Sequence, residues 1–529
     1  MKLTDNSLLL EQAGCAVVNT VAACYLLSCL TFMVGGHIGV WTFPLSVIIA
    51  VALQWRRDAL KSALIALLAV SVVALPLLVT VDFSGDGNEY RQMTITYLMS
   101  GWNPFYDSMP EGLTIWGIHY ARGTEILSAA IALMTGHIEA GRAVNAMLIA
   151  GTMLMLYPAV RGLGNGVGKM KAAAITLLAG LNPVGVAQLP IFYNDFAKYY
   201  LLLISIVLIR KIFLSGEARS YIMLCATLIL GIGIKFNAAP DLAIAMLFAI
   251  VLAFVWRRNR LGVNLLLTGV VALLAGTLIF GYNPYVTNTI NAGNPLYPLL
   301  GAGAEDIMTG NTPDAYLVGN RFSNFFHSIC HWPSIARYEI DQKMGGFTFA
   351  MPWLLLISVL TFIAARKRVS PVYGVAALVT LLSCFIFEQS WWARYVCQLW
   401  LVPVLAVAAL AQIADRRATI TLYVTALLGI AGGLASGVPG IFHGSMFRTY
   451  RREMFEISRR QGGMRVSESN PVLERHAAEQ NLSVTVVPED SLKADDSYIY
   501  YFGHSTVEPK IRVYIPVAER DAMNWVCDW

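Results

Sequence analysis

The run SALIALLAVSVVALPLLVTV, Ser62 to Val81, holds no charged residue. At about 1.5 Å per residue a helix of this length reaches across the ~30 Å hydrocarbon core of a bilayer. Runs of similar character recur over the first 440 positions. A chain built this way is a membrane protein, and its spanning segments must satisfy their own backbone hydrogen bonds as helices. Charged residues make up only 13% of the 529 positions and hydrophobic ones 57%, against about 25% charged in soluble domains.

Thirteen candidate spans can be read, near 12–34, 38–54, 61–81, 142–160, 172–190, 197–214, 219–236, 239–256, 261–281, 350–365, 370–387, 395–414 and 418–438. The basic clusters Arg56/Arg57, Arg161 with Lys169/Lys171, Arg210/Lys211, Arg257/Arg258/Arg260, Arg366/Lys367/Arg368 and Arg416/Arg417 each follow an even-numbered span. All therefore lie on one side, which the positive-inside rule makes cytoplasmic. The fold expected is an all-α polytopic membrane protein of about thirteen transmembrane helices over residues 1–440, with a small extracytoplasmic α/β C-terminal module over 441–529. Its N-terminus is expected inside, and the outer loops 82–141 and 282–349 outside with the tail. In that tail SNPVLERHAAEQN reads as a helix opened by Ser469 or Asn470, and LSVTVVP, SYIYYFG and IRVYIPV read as short strands.

The net charge of +5 is accounted for by the short inner loops and implies no nucleic-acid partner. Six of the eight cysteines fall in or beside spans, where a thiol acts as a small apolar filler. Cys330 and Cys527 lie in outer segments, where they either pair or stay free.

Within the first outer loop, EYRQMTITYLMSG places Tyr90, Met93, Tyr97 and Leu98 at helical spacing, with Gly101 as a stop. The pattern predicts a short helix on the membrane surface, its apolar stripe against lipid. GTEILSAAIALMTG reads as a second helix, too short to span.

Ionisable residues at the outer ends of spans are costly to keep and are functional candidates by default. They are Asp82, Asp86, Glu89, Arg91, His119, Arg122, Asp195, Lys198, Lys235, Asp241, Glu388 and Arg394. Each has a plainer reading. Asp82 is read as a charge in water at a helix end, and Asp86 serves equally as a helix cap. Lys235 can snorkel to the interface, and Arg394 beside Trp391 and Trp392 can be an aromatic-belt anchor. No H-E-x-x-H, paired CxxC, Walker or GxGxxG motif occurs in a fitting context, which leaves zinc hydrolysis, nucleotide binding and Rossmann chemistry unsupported. GLGNG, Gly162 to Gly166, reads as a flexible inner turn.

The order of these elements resembles the GT-C superfamily of membrane glycosyltransferases. Asp86 and Tyr90 match a D-x-x-x-Y pattern after an apolar span, and GWNPFYD matches the turn that follows. HYARGTEIL, YNDFAKYYLLLI, GIKFNAAP, TNTINAGNPLYPLLG and WWARYVCQLWLVPVL are similar to later elements, so that the resemblance covers residues 60–414. Two features depart from the pattern: two spans precede the loop-bearing unit, and position 87 is Gly87 where a second carboxylate would make an acidic metal site. The resemblance implies a polyprenyl-phosphate-linked sugar donor, an extracytoplasmic glycan, lipid or protein acceptor, and inversion at the anomeric carbon. It implies Asp86 as general base, because the acceptor hydroxyl must lose a proton as it attacks. Arg394, Lys235, Lys198 and Arg122 become ligands of the donor phosphate, while Glu89, Asp195, His119 and Tyr90 orient substrate. No cofactor is required by this reading, no metal ligand is assigned, and a divalent cation is left open. Two other functions compete. A polysaccharide polymerase or ligase would use Arg321, His327, His331 and Arg337 of the second outer loop, and a transporter of a lipid-linked substrate would bury charges at the midplane.

Overall fold

A computed structural model of the chain describes residues 5–54, 58–164, 167–301, 303–305, 309–331, 342–502 and 510–523. Arg56, Arg57, Arg337 and Cys527 lie outside the described residues.

Each of the thirteen apolar segments contains helix. Among the described residues six helices are long and apolar enough to cross a membrane: Asn6–Met33, Ala59–Leu78, Ile138–Arg161, Ala238–Val255, Asn259–Leu278 and Arg416–Arg460. The protein is thus a mostly helical, multi-span membrane protein. The remaining segments are shorter or interrupted, except for the 21-residue helix Asp195–Ser215, which is long enough but carries Lys198, Arg210 and Lys211. The apolar stretch at 172–190 is broken into Lys169–Gly180 and Pro183–Gln188, because Pro183 has no N–H to continue the first helix and is suited to the first turn of the second.

The helix Asp195–Ser215 lies near the centre, buried along most of its length, and packs on Ala218–Ile234, Ala143–Arg161 and Ala238–Val255. The N-terminal helix Asp5–Met33 runs along Ala143–Arg161. At one end of the bundle the basic clusters tie helix ends together. Lys211 pairs with Glu11, Arg210 donates to the Gly162 carbonyl, Arg258 to that of Phe213 and Arg219 to that of Leu53. Asp82, Asp86, Asp195, Lys235 and Arg394 gather elsewhere, around the contacts described below.

The tail carries a four-stranded sheet: β1 (Met464–Val466), β2 (Val484–Val486), β3 (Asp496–Tyr500) and β4 (Arg512–Pro516), in the order β2-β1-β4-β3. β1 and β2 are parallel, with the helix Pro471–Glu479 as their crossover, and β4 is antiparallel to both β1 and β3. β1 has no counterpart among the expected strands. It has only three residues and leaves the preceding helix through Gly462 and Gly463, both at positive φ, so it carries too little alternation to read. No linker separates tail from bundle, since the helix Arg416–Arg460 runs unbroken through position 440.

The expected surface helix is Gln92–Met99, and its setting differs from the expectation. Gln92, Met93, Thr94, Ile95, Thr96 and Leu98 are all buried, between the helices Gly123–Thr135 and Pro471–Glu479. The stripe faces protein instead of lipid because the tail covers the side that would otherwise lie open. Its polar residues survive burial by bonding locally: Thr94 and Thr96 donate to the carbonyls four residues back, and Gln92 donates to Asn88 and Asp82.

Candidate active site

Asp86 stands where the chain turns from the irregular segment after Ala59–Leu78 into a single π-type turn, Gly87–Arg91, continued by Gln92–Met99. The capping role goes to other residues. Ser84 accepts from the Gly87 N–H through its hydroxyl (3.1 Å) and from the Asn88 N–H through its carbonyl (3.1 Å), whereas Asp86 makes no capping bond. Ser84 is itself held by Asp82, whose Oδ1 accepts from its N–H (3.0 Å) and its hydroxyl (2.7 Å). Asp82 is therefore no charge in water. It is buried, and that burial, with the Glu139 carboxylate beside it, pushes its carboxyl up to about 6. Gly87 packs directly on it: a Cβ there would meet Asp82 Oδ2 at 1.8 Å and Ser84 Oγ at 2.3 Å. This explains the departure from a paired-carboxylate pattern, because position 87 has no room for any side chain.

Freed from capping, the Asp86 carboxylate, 27% exposed, faces Arg394 Nη1 at 3.5 Å and accepts from the Tyr90 hydroxyl at 3.4 Å. Arg394 sits on the turn Ala393–Tyr395 with its guanidinium against the rings of Trp392 (4.5 Å), Tyr193 (5.0 Å) and Tyr395 (5.5 Å). Cation–π contacts of this kind fix the guanidinium plane. It is buried, so the belt-anchor reading does not apply. Its Nε lies 3.9 Å from Asp195 Oδ1, the same oxygen that pairs with Lys235. Lys235 follows the helix Ala218–Ile234 and turns inward to Asp195, its side chain only 18% exposed, so it does not snorkel. Asp195 opens the helix Asp195–Ser215, where an acid suits the positive end of the macrodipole. Its Oδ2 accepts from Gln188 Nε2 at 3.2 Å. Four formal charges from four distant parts of the chain thus form one network: Asp86, Arg394, Asp195 and Lys235.

Three members of this network, Asp86, Arg394 and Lys235, form the polar floor of a cavity of about 1520 Å³. Of the sequence-predicted residues, Asp86, Glu89, Tyr90, Lys235, Glu388 and Arg394 line it. Asp195 supports the two cations from behind. Three others are not among the lining residues. Lys198 is buried, paired with Asp241 at 3.1 Å and donating to the Tyr395 carbonyl. Arg122 is buried over the Trp102 ring and donates to the Ile118 carbonyl. His119 Nδ1 lies 2.8 Å from Asn288 Oδ1, and its ring packs edge-on against Tyr297. Two of them instead hold pieces of the site: Lys198 secures the turn that carries Arg394, and His119 ties the first outer segment to the second.

The lining also includes Arg91, Asn194, Tyr120, Trp392 and Tyr395. Arg91 pairs with buried Glu125 and donates to Asn194 Oδ1 at 3.0 Å. It stood among the outer charges but carried no motif to set it apart, and uncharged Asn194 carried no signal at all. Another part of the lining is apolar. Leu273, Leu274 and Leu278 line the cavity and are each more than half exposed on the candidate span Asn259–Leu278, so the cavity opens there onto an exposed apolar face of that helix. Among the described residues no group of three or more His, Cys, Asp or Glu side chains converges as a metal-ligand set, and no residues are assigned to a cation.

No family model and no curated protein matches the chain. Among solved structures the chain is similar to the crystal structure of ArnT from Cupriavidus metallidurans bound to undecaprenyl phosphate, at 12% identity and a TM-score of 0.48, over 82% of this chain and 87% of that one.

Proposed function

We propose that the protein is a membrane glycosyltransferase that moves a sugar from a polyprenyl-phosphate donor to a hydroxyl of an extracytoplasmic glycan, lipid or protein. The observation that carries this reading is one cavity with two characters: an apolar wall at the exposed side chains of Leu273, Leu274 and Leu278, and a polar floor where Asp86 faces Arg394, and Lys235 is held against Asp195. At about 1520 Å³ it exceeds the ~300–1,000 Å³ of ordinary small-molecule pockets, as room for a donor and an acceptor together requires. The positive-inside pattern supports an outward-facing site.

In this reaction the acceptor oxygen attacks the anomeric carbon from the face opposite the phosphate. The new C–O bond forms as the bond to the phosphate oxygen breaks, and configuration inverts. Asp86 takes the hydroxyl proton, and Tyr90 steadies the carboxylate that does so. Arg394 and Lys235 stabilise the charge collecting on the departing polyprenyl phosphate. Asp195 keeps both cations oriented, and Glu89, which lines the cavity together with Glu305 and Glu388, is the carboxylate assigned to sugar hydroxyls.

Removing Arg394 tests the donor half. A hydrogen bond to a charged group contributes about 1.5–3 kcal/mol, so Arg394→Ala should weaken binding of polyprenyl phosphate by about 10- to 100-fold in nanodiscs. Undiminished binding would remove the phosphate role. Of Arg321, His327 and His331, the described residues that the polymerase reading would use, Arg321 lines the cavity and donates to the Phe385 carbonyl at 2.9 Å, and His327 and His331 are not among the lining residues.

A further inference from the structure

The segment that delivers Asp86 is gripped by one face of the helix that carries the C-terminal module. Gly444, Arg448 and Arg451 are spaced four and three residues apart, on one side of Arg416–Arg460. Each meets the segment at a different point. The Val81 N–H donates to the Gly444 carbonyl at 3.2 Å, Arg448 donates to the Leu78 carbonyl, and Arg451 Nη2 lies 3.4 Å from the Asp82 carbonyl. Gly444 permits the approach, since a Cβ there would stand 2.9 Å from Thr80 Cβ. Arg451 also bonds Glu139 Oε1 at 2.6 Å, and Glu139 Oε2 accepts from the Asp82 N–H at 3.1 Å, so one carboxylate bridges the helix to the backbone of Asp82. Arg142 closes the group from the far side, 2.9 Å from Glu139 and bonded to the Thr80 carbonyl at 2.9 Å. From Asp82 the chain of bonds continues through Ser84 to the Gly87 N–H, the residue after Asp86.

The same stretch of helix belongs to the core of the tail. Tyr450, Met454, Phe455 and Ile457 pack with Met464, Val466, Leu473, Val513 and Ile515 of the sheet and its crossover helix. That helix docks in turn on Gln92–Met99, and Glu479 accepts from the Ile138 N–H at 2.8 Å. The Asp86 turn is therefore held from both ends by the tail: at residues 78–82 by the long helix, and at 92–99 by Pro471–Glu479.

We infer that the C-terminal module is a positioning element of the active site, with Arg451, acting through Glu139 and Asp82, as the positioning residue that sets where the Asp86 carboxylate stands. This rests on the transferase reading for its catalytic consequence, but the mechanical link stands on the contacts alone. Displacing a reacting group by about 1 Å costs on the order of 10²-fold in rate, which is the scale at which such a clamp matters.

The test uses the full chain in nanodiscs, comparing wild type with Arg451→Ala, Arg451→Lys and Glu139→Gln. Amide hydrogen exchange over residues 84–92 should quicken about tenfold in Arg451→Ala and Glu139→Gln, with 193–198 and 393–398 unchanged. Sugar transfer should lose about 10- to 100-fold in kcat with the donor KM within about twofold, and Arg451→Lys, which keeps the charge, should recover part of the loss. Unchanged exchange at 84–92, or a raised donor KM at constant kcat, would overturn the inference. If Arg451→Ala does not fold, Glu139→Gln carries both readouts. If wild type transfers no sugar from any polyprenyl-phosphate donor, the transferase reading fails, and the exchange arm still decides whether the tail holds the Asp86 turn.

Discussion

Replacing Asp86 with Asn should lower sugar transfer by about 10²- to 10⁴-fold, the usual contribution of a positioned general base. Asparagine keeps the size of the side chain and can still accept from Tyr90, but it cannot hold the proton of the acceptor hydroxyl. Donor binding should survive the change. The lost carboxylate lies 3.5 Å from Arg394, so its removal frees that guanidinium for phosphate and leaves the apolar wall untouched. The assignment is checked by measuring single-turnover transfer alongside polyprenyl-phosphate binding in the same preparation. Near-normal turnover with Asn in place would end the claim that Asp86 is the base, and loss of binding together with turnover would move its role to structure.

The largest effect on stability is expected at Glu125. Its pair with Arg91 is almost wholly withdrawn from solvent, at 5% and 3% exposure, and Thr124 also donates to it at 2.9 Å. Deleting one partner of a buried pair leaves the other charge uncompensated and costs about 3–5 kcal/mol. Glu125→Ala should therefore lower the thermal midpoint of the detergent-solubilised protein far more than Glu305→Ala, which removes a carboxylate that accepts from a tyrosine hydroxyl at an exposed position. Equal midpoints for the two variants would show that Arg91 finds another partner. Arg91 lines the cavity through the same turn that carries Asp86, so Glu125→Ala should also depress transfer.

How far the site could be read from sequence depends on what each residue does with its charge. Asp86, Lys235 and Arg394 stood out because ionisable groups are rare and costly in so apolar a chain, and those three do meet in space. The same criterion brought forward Lys198, Arg122 and His119, whose polar groups are directed to Asp241, to the Ile118 carbonyl and to Asn288. One-dimensional spacing cannot distinguish a cation held for a ligand from one held by a carboxylate forty-three positions away. Asn194 and the aromatic rings around Arg394 were silent for the opposite reason, since uncharged residues are common everywhere. Among the elements, the apolar runs announced their helices, whereas the burial of Gln92–Met99 depends on a tail helix more than three hundred and fifty residues later in the chain. Asp82 shows the same limit, for its burial comes from Glu139, Arg142 and Arg451, none of them near it in sequence.

The exposed leucines of the cavity wall bear on how a membrane-borne donor would reach the site. Under the transferase reading, Leu273, Leu274 and Leu278, which line the cavity and are exposed on their helix, would let a carrier lipid slide in from the side without leaving the bilayer. Its search is then two-dimensional, and the concentration that governs saturation is a mole fraction in the membrane. Diluting the donor with bulk phospholipid at constant total amount should slow transfer in proportion, while adding more vesicles of the same composition and protein density should leave the turnover per enzyme unchanged. A rate that instead followed the bulk concentration of donor would place its entrance on the aqueous side. On the lateral route the spent carrier departs the way it came, and the membrane serves as both reservoir and sink for the reaction.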